Sequence, residues 1–510
     1  MLSIGRSLCL LTAGLFAVGI GGVRSNPTTS GQLGLDLVLA GGRVMDPESG
    51  LDDVRDVGIR GGRVVDISDG RLVGALVIDV SGYVVAPGFI DLHAHGKSRK
   101  ANEYQAHDGV TTALELEDGV PEIAAWLAQR SGNALINFGA TASHGWLRSM
   151  VALPGKGSET ISEGLAAGVE LTEIDVAKLR AIRQRANYAE LDEDGIHNLT
   201  TALERELRGG ALGFGVAHQY TPGATRLEIF RVFQSASQWR VPIFTHVRSM
   251  GTDAIQEVLA DAAITGAAVH IVHVNSSSLG DLPVVLEMVN AARRHGLDVT
   301  TEAYPYTAAS TFLQSAIFDE GWQKLLGISY EDLVWQDTGE RLTQETFFRY
   351  RERGGVVIMH MMKPEWIELA MGTPFVIVAS DGMPYAPGAH PRSAGTFARV
   401  LGRYVREQRV LSLMEALRRM SLLPARRLEG VAPQMRRKGR VRVGADADIT
   451  VFDPETVIDT ATFGEKLSFS RGIQHVLVNG TFVVHDGATV PGVFPGRAVI
   501  GKHRREGDSS

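Results

Sequence analysis

Two histidines one residue apart, His93 and His95, end the apolar run Phe89-Ile90-Asp91-Leu92, which follows the turn-like Ala86-Pro87-Gly88. Residues i and i+2 of a strand face the same side, so both imidazoles project toward one point from the strand's C-terminal end. Such a pair suits one divalent cation, although two hydrogen-bonded core histidines would read the same in isolation. Four later apolar segments end comparably. Val110 to Leu116 leads into Glu117, Val241 to Thr245 into His246, Ala268 to Val272 into His273, and Pro374 to Ser380 into Asp381. The six groups His93, His95, Glu117, His246, His273 and Asp381 suffice for two cations about 3.5–4 Å apart that share a bridging carboxylate and a water. The chemistry such a set supports is metal-assisted hydrolysis.

Histidines and carboxylates at the C-terminal ends of several parallel strands are how a (β/α)₈ barrel assembles a site at one face. Helical and strand patterns alternate from about residue 84 to 425, as parallel α/β units require. Glu122 to Arg130, Asp175 to Gln184, Leu227 to Arg240 and Leu282 to His295 carry apolar residues at helical period. Residues 36 to 85 and 440 to 490 instead hold short β-type runs and Gly-rich turns, such as Leu37 to Gly42, Val57 to Gly62, Leu76 to Asp79, Ala447 to Phe452 and Ile473 to Gly480. These predict antiparallel sheet. The expected fold is therefore α/β: a (β/α)₈, TIM-like metal-dependent hydrolase barrel over 86–435, with a small β-sandwich domain formed from both ends of the chain, 34–85 and 436–500. Residues 307–354 interrupt the alternation with an insertion containing Phe312, Trp322, Tyr330, Trp335, Phe347 and Phe348. An insertion on the catalytic side reads as a lid or substrate wall, with an inert surface excursion as the alternative.

The chain's 510 residues fit one large barrel and a smaller domain, and 44% hydrophobic with 21% charged residues is ordinary for a globular enzyme. A net charge of −7 without a basic stripe argues against nucleic acid as partner. The basic ending Lys502-His503-Arg504-Arg505 is expected to be solvated. Residues 1–25, with Arg6 before an apolar Leu8 to Gly22 and then Ser25-Asn26-Pro27, resemble a secretory signal peptide. Glycines at 14, 19, 21 and 22 make an uncleaved membrane span the poorer reading, since a span needs roughly 20 strongly apolar residues. Export to the periplasm or beyond is the expectation, with a cytoplasmic protein if this segment is no signal. The single cysteine, Cys9, lies in the same segment, so no disulfide framework is expected.

The motifs around these residues resemble the amidohydrolase superfamily, and within it the D-aminoacylases or N-acyl-D-amino-acid deacylases, over nearly the whole chain after residue 25. They are Pro87 to His95, Gly109-Val110-Thr111-Thr112, Gly210 to Phe214, Thr245-His246-Val247-Arg248, Tyr304-Pro305-Tyr306-Thr307, Ser380-Asp381-Gly382, His390-Pro391-Arg392 and Gly395-Thr396-Phe397. The resemblance implies that His246 and His273 hold the more buried metal, and that His93, His95 and Asp381 serve the other position. It implies one or two divalent ions, zinc first, and makes Asp381 the group that takes a proton from the attacking water and delivers it to the departing amine. It also makes Arg392 the clamp for a substrate α-carboxylate, a role its planar fork suits.

Two departures stand out. Family members carry a bridging cysteine in a Gly-x-Cys-Gly context, where this chain has Leu116-Glu117-Asp118-Gly119. Glu115 and Glu117 share a strand face and Glu117 lies nearer the catalytic end, so Glu117 is the expected bridge and Glu115 a buried partner. An oxygen bridge relaxes the preference for zinc. Asn275 stands where the family often has a lysine, which removes a positive charge from the substrate site.

Tyr306 and Tyr220 end strand-like segments; their hydroxyls could meet a carboxylate or a developing oxyanion, with core packing as the alternative. Arg248, two residues past His246, could read an acidic side chain. His144 is expected to be structural or to wall the pocket, and His218 could line it. The expected activity is hydrolysis of the amide bond of an N-acyl-D-amino acid, including N-acyl-D-glutamate, to a carboxylate and a free D-amino acid. The alternatives are a dipeptidase or cyclic-amide hydrolase on the same barrel, and remotely a non-catalytic scaffold. Cyclic-amide hydrolases of the superfamily use a carboxylated lysine on the fourth strand, and Ala211 to Val216 has none.

Overall fold

The computed structural model describes residues 34–153 and 185–505. The N-terminal segment read as a signal peptide, Cys9, and the helix expected over Asp175 to Gln184 lie outside the described residues. From Leu35 onward the chain forms one unit.

Eight parallel strands bond in sequence order: Phe89–Asp91, Val110–Val120, Asn137–Ser143, Phe214–Ala217, Ile243–His246, Val269–Ile271, Val299–Ala303 and Val376–Val378. The ends of the ring meet just past the first and eighth strands. Ala94 bridges Gly382, and the backbone N–H groups of His95 and Gly96 both donate to the Gly382 carbonyl, at 2.8 and 3.2 Å. The buried Asp91 carboxylate reinforces this seam by accepting the Ser380 N–H at 3.0 Å and the His93 N–H at 3.1 Å. The seam thus fixes His93, His95 and Asp381 relative to one another before any ligand is considered.

Helices follow where the periodicity and caps place them. Arg226–Trp239 begins at Thr225, whose hydroxyl accepts the Glu228 N–H, and Glu193–Gly209 begins at Asp192 in the same manner. The latter buries Ile196, Leu199, Leu203 and Leu207, one face at helical spacing, and stops at Gly210 with φ 113, a left-handed value suited to glycine. Ile123–Arg130 and Leu282–Arg294 match the sequence expectation within a residue or two.

Both ends of the chain build the β domain, as expected. Its nine strands are hydrogen-bonded into a single sheet, joined where Val84–Pro87 pairs antiparallel with Ile449–Phe452. Two pairings depart from the antiparallel expectation. The first strand, Leu35–Asp46, runs parallel to Gly74–Asp79 along its first half and to Val84–Val85 along its second, changing neighbours past a bulge at Gly41-Gly42. Gly41, with φ 72, supplies the backbone that this bend requires. Thirteen buried residues, Leu37, Val57 and Val451 among them, form a core separate from the barrel's.

The insertion is a three-stranded antiparallel sheet, Ala308–Phe312, Leu333–Trp335 and Val356–His360, with an aromatic core in which Trp322 stacks on Phe347 and Trp335 on Tyr350. It therefore extends six residues past the expected limit. Its Thr311 hydroxyl lies 2.8 Å from the Tyr220 hydroxyl, in the turn after the fourth barrel strand. In the basic ending Lys502, Arg504 and Arg505 are exposed, as expected, while the backbone and the His503 ring are docked. Val499 N–H donates to Phe138 O at 2.7 Å, Lys502 N–H to Val431 O at 2.7 Å, and the His503 ring meets Trp239 O at 2.8 Å. Unpaired backbone along the base of the barrel recruits this segment, an influence the charge pattern does not register. Among the described residues, no helix is long and apolar enough to cross a membrane.

Candidate metal centre

Glu117 stands at the middle of the catalytic face with one oxygen toward each half of the site. Its Oε2 lies 3.1 Å from His93 Nε2 and 3.2 Å from His95 Nε2, and its Oε1 lies 2.9 Å from His246 Nδ1 and 3.3 Å from His273 Nε2. Each half brings its three ligand atoms within 4.8 Å of one another. Asp381 turns Oδ1 toward the first half, 3.5 Å from both His93 Nε2 and His95 Nε2. All six expected residues therefore meet at one place, and Glu117, not Glu115, is the residue between the halves.

Hydrogen bonding on the far side of each ring tests whether this set fits a cation. His93 Nδ1 faces the Glu302 carboxylate at 2.6 Å, and His95 Nδ1 faces Glu115 at 3.0 Å. With each Nδ1 donating to its carboxylate, each Nε2 faces Glu117, where it donates when protonated and offers its lone pair when a cation takes the proton's place. Those two inward nitrogens are 3.1 Å apart. His246 Nε2 donates to Gln219 Oε1 at 2.8 Å, leaving Nδ1 bare and 3.0 Å from His273 Nε2. Ring nitrogens at such distances need a positive charge between them, which a proton shared with Glu117 or a bound cation supplies. The residues present thus fit a divalent ion in either half.

The outer partners are held in turn. Glu302, wholly buried, spans His93 and His270, with His270 Nε2 3.0 Å from its second oxygen. Burial alone would raise its pKa, but the two imidazoles outweigh that and hold it at about 2. Glu115 is likewise held at about 2 against burial by His95 and by Lys97, whose ammonium is 2.7 Å away. The His273 ring is steadied by Ser277 Oγ at 3.0 Å. Carboxylate–histidine pairs of this kind orient metal ligands. Sequence reasoning missed Glu302, Gln219 and Ser277; the available signal was an acid inside the buried strand Val299–Ala303.

Asp381 and His273 have left-handed backbones, φ 49 and 33, at the ends of the eighth and sixth strands. Non-glycine residues in that region are costly and collect at functional sites. The second Asp381 oxygen contacts the Arg392 guanidinium at 2.9 Å. Burial pushes the Asp381 carboxyl up, yet Arg392 and His93 outweigh it and hold the group well below the usual carboxylate range. Arg392 is 1% exposed, lies over the Tyr304 ring at 4.6 Å and donates to Ser310 O at 3.2 Å. Three buried polar atoms beside it, Arg392 Nε, Tyr304 OH and Ser310 Oγ, have no hydrogen-bond partner. Such orphans are rare in folded proteins and point to a polar ligand.

The other expected residues divide. Tyr220 stands at the centre, its ring edge-on to His246 at 5.0 Å. Tyr306 does not: its hydroxyl bonds Asp459 Oδ2 at 3.1 Å and Arg399 covers its ring, so Tyr304 is the tyrosine of that motif that faces Arg392. Arg248 is not free to read a substrate: Glu257 takes its Nε at 3.0 Å and Nη2 at 2.9 Å, and Ala224 O takes Nη1 at 2.7 Å. His144 is structural, bonded to the buried Glu228 at 2.8 Å. His218 is buried with neither ring nitrogen partnered. Asn275 spends its amide on Tyr304 O at 3.2 Å and brings no charge.

The amidohydrolase family model matches residues 256–484. An N-acyl-D-glutamate deacylase of Alcaligenes xylosoxydans xylosoxydans is 30% identical over 88% of this chain and 93% of its own length, and a D-aminoacylase of the same organism is 30% identical over 87% and 93%. Among solved structures, the N-acyl-D-glutamate deacylase of Bordetella bronchiseptica, complexed with zinc and a phosphonate mimic of the tetrahedral intermediate, superposes with TM-score 0.74 at 26% identity, covering 92% of this chain and all of that one. A D-aminoacylase with a binuclear centre, described in terms of one-metal activation and second-metal attenuation, gives TM-score 0.75 at 25% identity over 91% and 100%. The chain belongs to the amidohydrolases, in their D-aminoacylase branch. It is a metal-dependent hydrolase of carbon–nitrogen bonds other than peptide bonds.

Proposed function

We propose that the enzyme hydrolyses N-acyl-D-amino acids to a carboxylate and a free D-amino acid, at a centre ligated by His93, His95, Glu117, His246, His273 and Asp381. The observation that carries the reading is the convergence of four imidazole nitrogens about Glu117, beside a buried arginine flanked by unpartnered polar atoms. Two divalent ions fit the two halves, with zinc the first choice for the nitrogen-rich set. When bound, such ions lower the pKa of water from 15.7 toward about 7 and polarise a carbonyl oxygen.

The chain's own groups account for the rest. Asp381, kept ionised by Arg392, takes a proton from the attacking water through the oxygen facing His93 and His95. It returns that proton to the amide nitrogen as the C–N bond breaks, so water supplies OH to the acyl carbon and H to the amine. Tyr220, beside His246, is placed to donate to the carbonyl oxygen as charge develops there. Arg392, Tyr304 and Ser310 receive the α-carboxylate, the charged group shared by all N-acyl amino acids. The absence of lysine in the fourth strand, Phe214–Ala217, weighs against a cyclic amide as substrate.

Side-chain preference rests on charge. N-acyl-D-glutamate needs a second cation, and of the described candidates neither Arg248 nor Asn275 provides one, which favours neutral side chains. The test is turnover of metal-loaded enzyme on N-acetyl-D- and N-acetyl-L-amino acids, including D-glutamate, D-leucine and D-methionine. Absence of turnover on every D substrate, with hydrolysis of a dipeptide or hydantoin, overturns the proposal. Export remains part of the reading on the Leu8 to Gly22 pattern, and N-terminal sequencing of protein from the native host tests it.

A further inference from the structure

The β domain carries a second convergence of imidazole and carboxylate. Ile473–Val478 runs antiparallel to Thr481–His485, with Val476 paired to Val484. One step further along each strand come His475 and His485, so the register sets the two rings side by side, their centroids 5.0 Å apart. The chain then reverses through Asp486 and Gly487, with φ 51 and 71, the two left-handed residues of a tight hairpin, so that His485 pairs with Ala488. This reversal lays the Asp486 carboxylate beside both rings. One oxygen is 3.1 Å from His485 Nδ1 and the other 3.8 Å from His475 Nε2. One ligand atom from each of the three side chains lies within 4.8 Å of the other two.

We propose that His475, His485 and Asp486 form a further cation site, outside the barrel centre, for a divalent transition metal. Two imidazoles and one carboxylate suit zinc, nickel or copper(II), whereas magnesium and calcium take oxygen ligands. His475 is buried and its ring is held by the Phe482 edge, while Asp486 is open to solvent, so water can complete the coordination. Binding has an identifiable cost. His475 Nδ1 accepts the Asp486 N–H at 3.2 Å, so ligation through Nε2 moves the ring proton to Nδ1 and gives up that bond. This cost favours ions with strong imidazole affinity and adds to the discrimination against magnesium and calcium.

The site has a consequence for the fold. The last strand of the hairpin places Thr489 Oγ1 2.8 Å from His107 Nε2, at the end of helix Arg99–His107, which begins four residues after His95. An ion at Asp486 therefore fastens the hairpin that supports this helix.

The experiment compares zinc bound per chain, after dialysis of the full-length protein against excess zinc, for wild type, His485→Gln and Asp486→Asn. The wild type is expected to hold one ion more than either variant, however many the barrel centre holds, with amide-hydrolase activity the same in all three. Zinc in excess of that at the barrel centre is expected to raise the wild-type melting temperature and leave the variants unmoved. The copper(II) spectrum is expected to contain a two-nitrogen component beside that of the barrel centre, and His485→Gln is expected to remove that component. Both substituted side chains are partly exposed, and equal melting temperatures before zinc addition confirm that the variants fold. Equal zinc content in wild type and both variants overturns the proposal, as does a copper spectrum unaltered by His485→Gln.

Discussion

Glu302 touches no substrate, yet the metal centre should depend on it. Its Oε1 sits 2.6 Å from His93 Nδ1, short for a nitrogen–oxygen hydrogen bond, and its Oε2 sits 3.0 Å from His270 Nε2. Glu302→Ala removes the acceptor that keeps the proton on Nδ1 of His93. The ring is then free to carry its proton on Nε2, the nitrogen facing Glu117. Outer partners of this type are worth about 10–100-fold in metal affinity, roughly 1.4–2.8 kcal/mol. The short distance and full burial place Glu302→Ala near the ~100-fold end, close to the ~1.5–3 kcal/mol of a charge-assisted hydrogen bond. Glu302→Gln retains one acceptor oxygen. It can keep His93 correct if His270 accepts from the new amide and donates from Nδ1 to Thr300 Oγ1, now 2.7 Å away. A loss near ~10-fold is expected there. The assay is zinc affinity by chelator competition, with turnover measured at saturating zinc. A cycle with His93→Ala isolates the route: if Glu302 works through that ring, Glu302→Ala on the His93→Ala background should change affinity by less than ~3-fold. Affinity in Glu302→Ala within ~3-fold of wild type, with unaltered melting, would refute the orientation argument.

Three further outcomes follow from the same geometry. Asp381→Asn should lower kcat by ~10²–10⁴-fold, the usual size of general acid–base catalysis, while a non-hydrolysable substrate mimic still binds; retention of most activity removes Asp381 from the proton path. Arg392→Met should cost ~10–150-fold more in kcat/KM on N-acyl amino acids than on their amides, since only the former present the carboxylate; equal losses would assign Arg392 to holding Asp381 alone. His107, stacked on Phe469 and bonded to Thr489, is pushed by burial from its ordinary value to about 4. A depressed histidine favours the folded state fully above the unfolded value of about 6.5 and loses that contribution as pH falls from there through 4, so wild type should be destabilised by up to roughly 3 kcal/mol over that window. Thermal melting between pH 7 and 4 should show a shallower decline for His107→Gln, and parallel declines would contradict the assignment.

The ligands were legible in the sequence because each ends an apolar run, and a barrel turns the ends of its strands into a site. Strand parity put Glu115 and Glu117 on one face, and Glu117's place nearer the catalytic end of Val110–Val120 separated the two. The same parity rule misplaced Arg248 and Tyr306, for a physical reason. The fifth strand ends at His246 and the seventh at Ala303, so residues two or three beyond belong to loops, where facing is set by what the loop packs against. In those loops Glu257 captures Arg248 and Asp459 captures Tyr306, through contacts spanning 9 and 153 residues. The outer partners were hidden differently. Gln219 and Ser277 carry no pattern of their own: Gln219 reaches the His246 ring from the loop after the fourth strand, and Ser277 reaches the His273 ring from the helix that follows it. Glu302 alone was in principle readable, because a carboxylate inside a strand buried on both faces must be paired, and the sixth strand beside it carries His270 and runs into His273. Sequence patterns thus disclose what points into the site from regular structure, and long-range packing decides what holds it there.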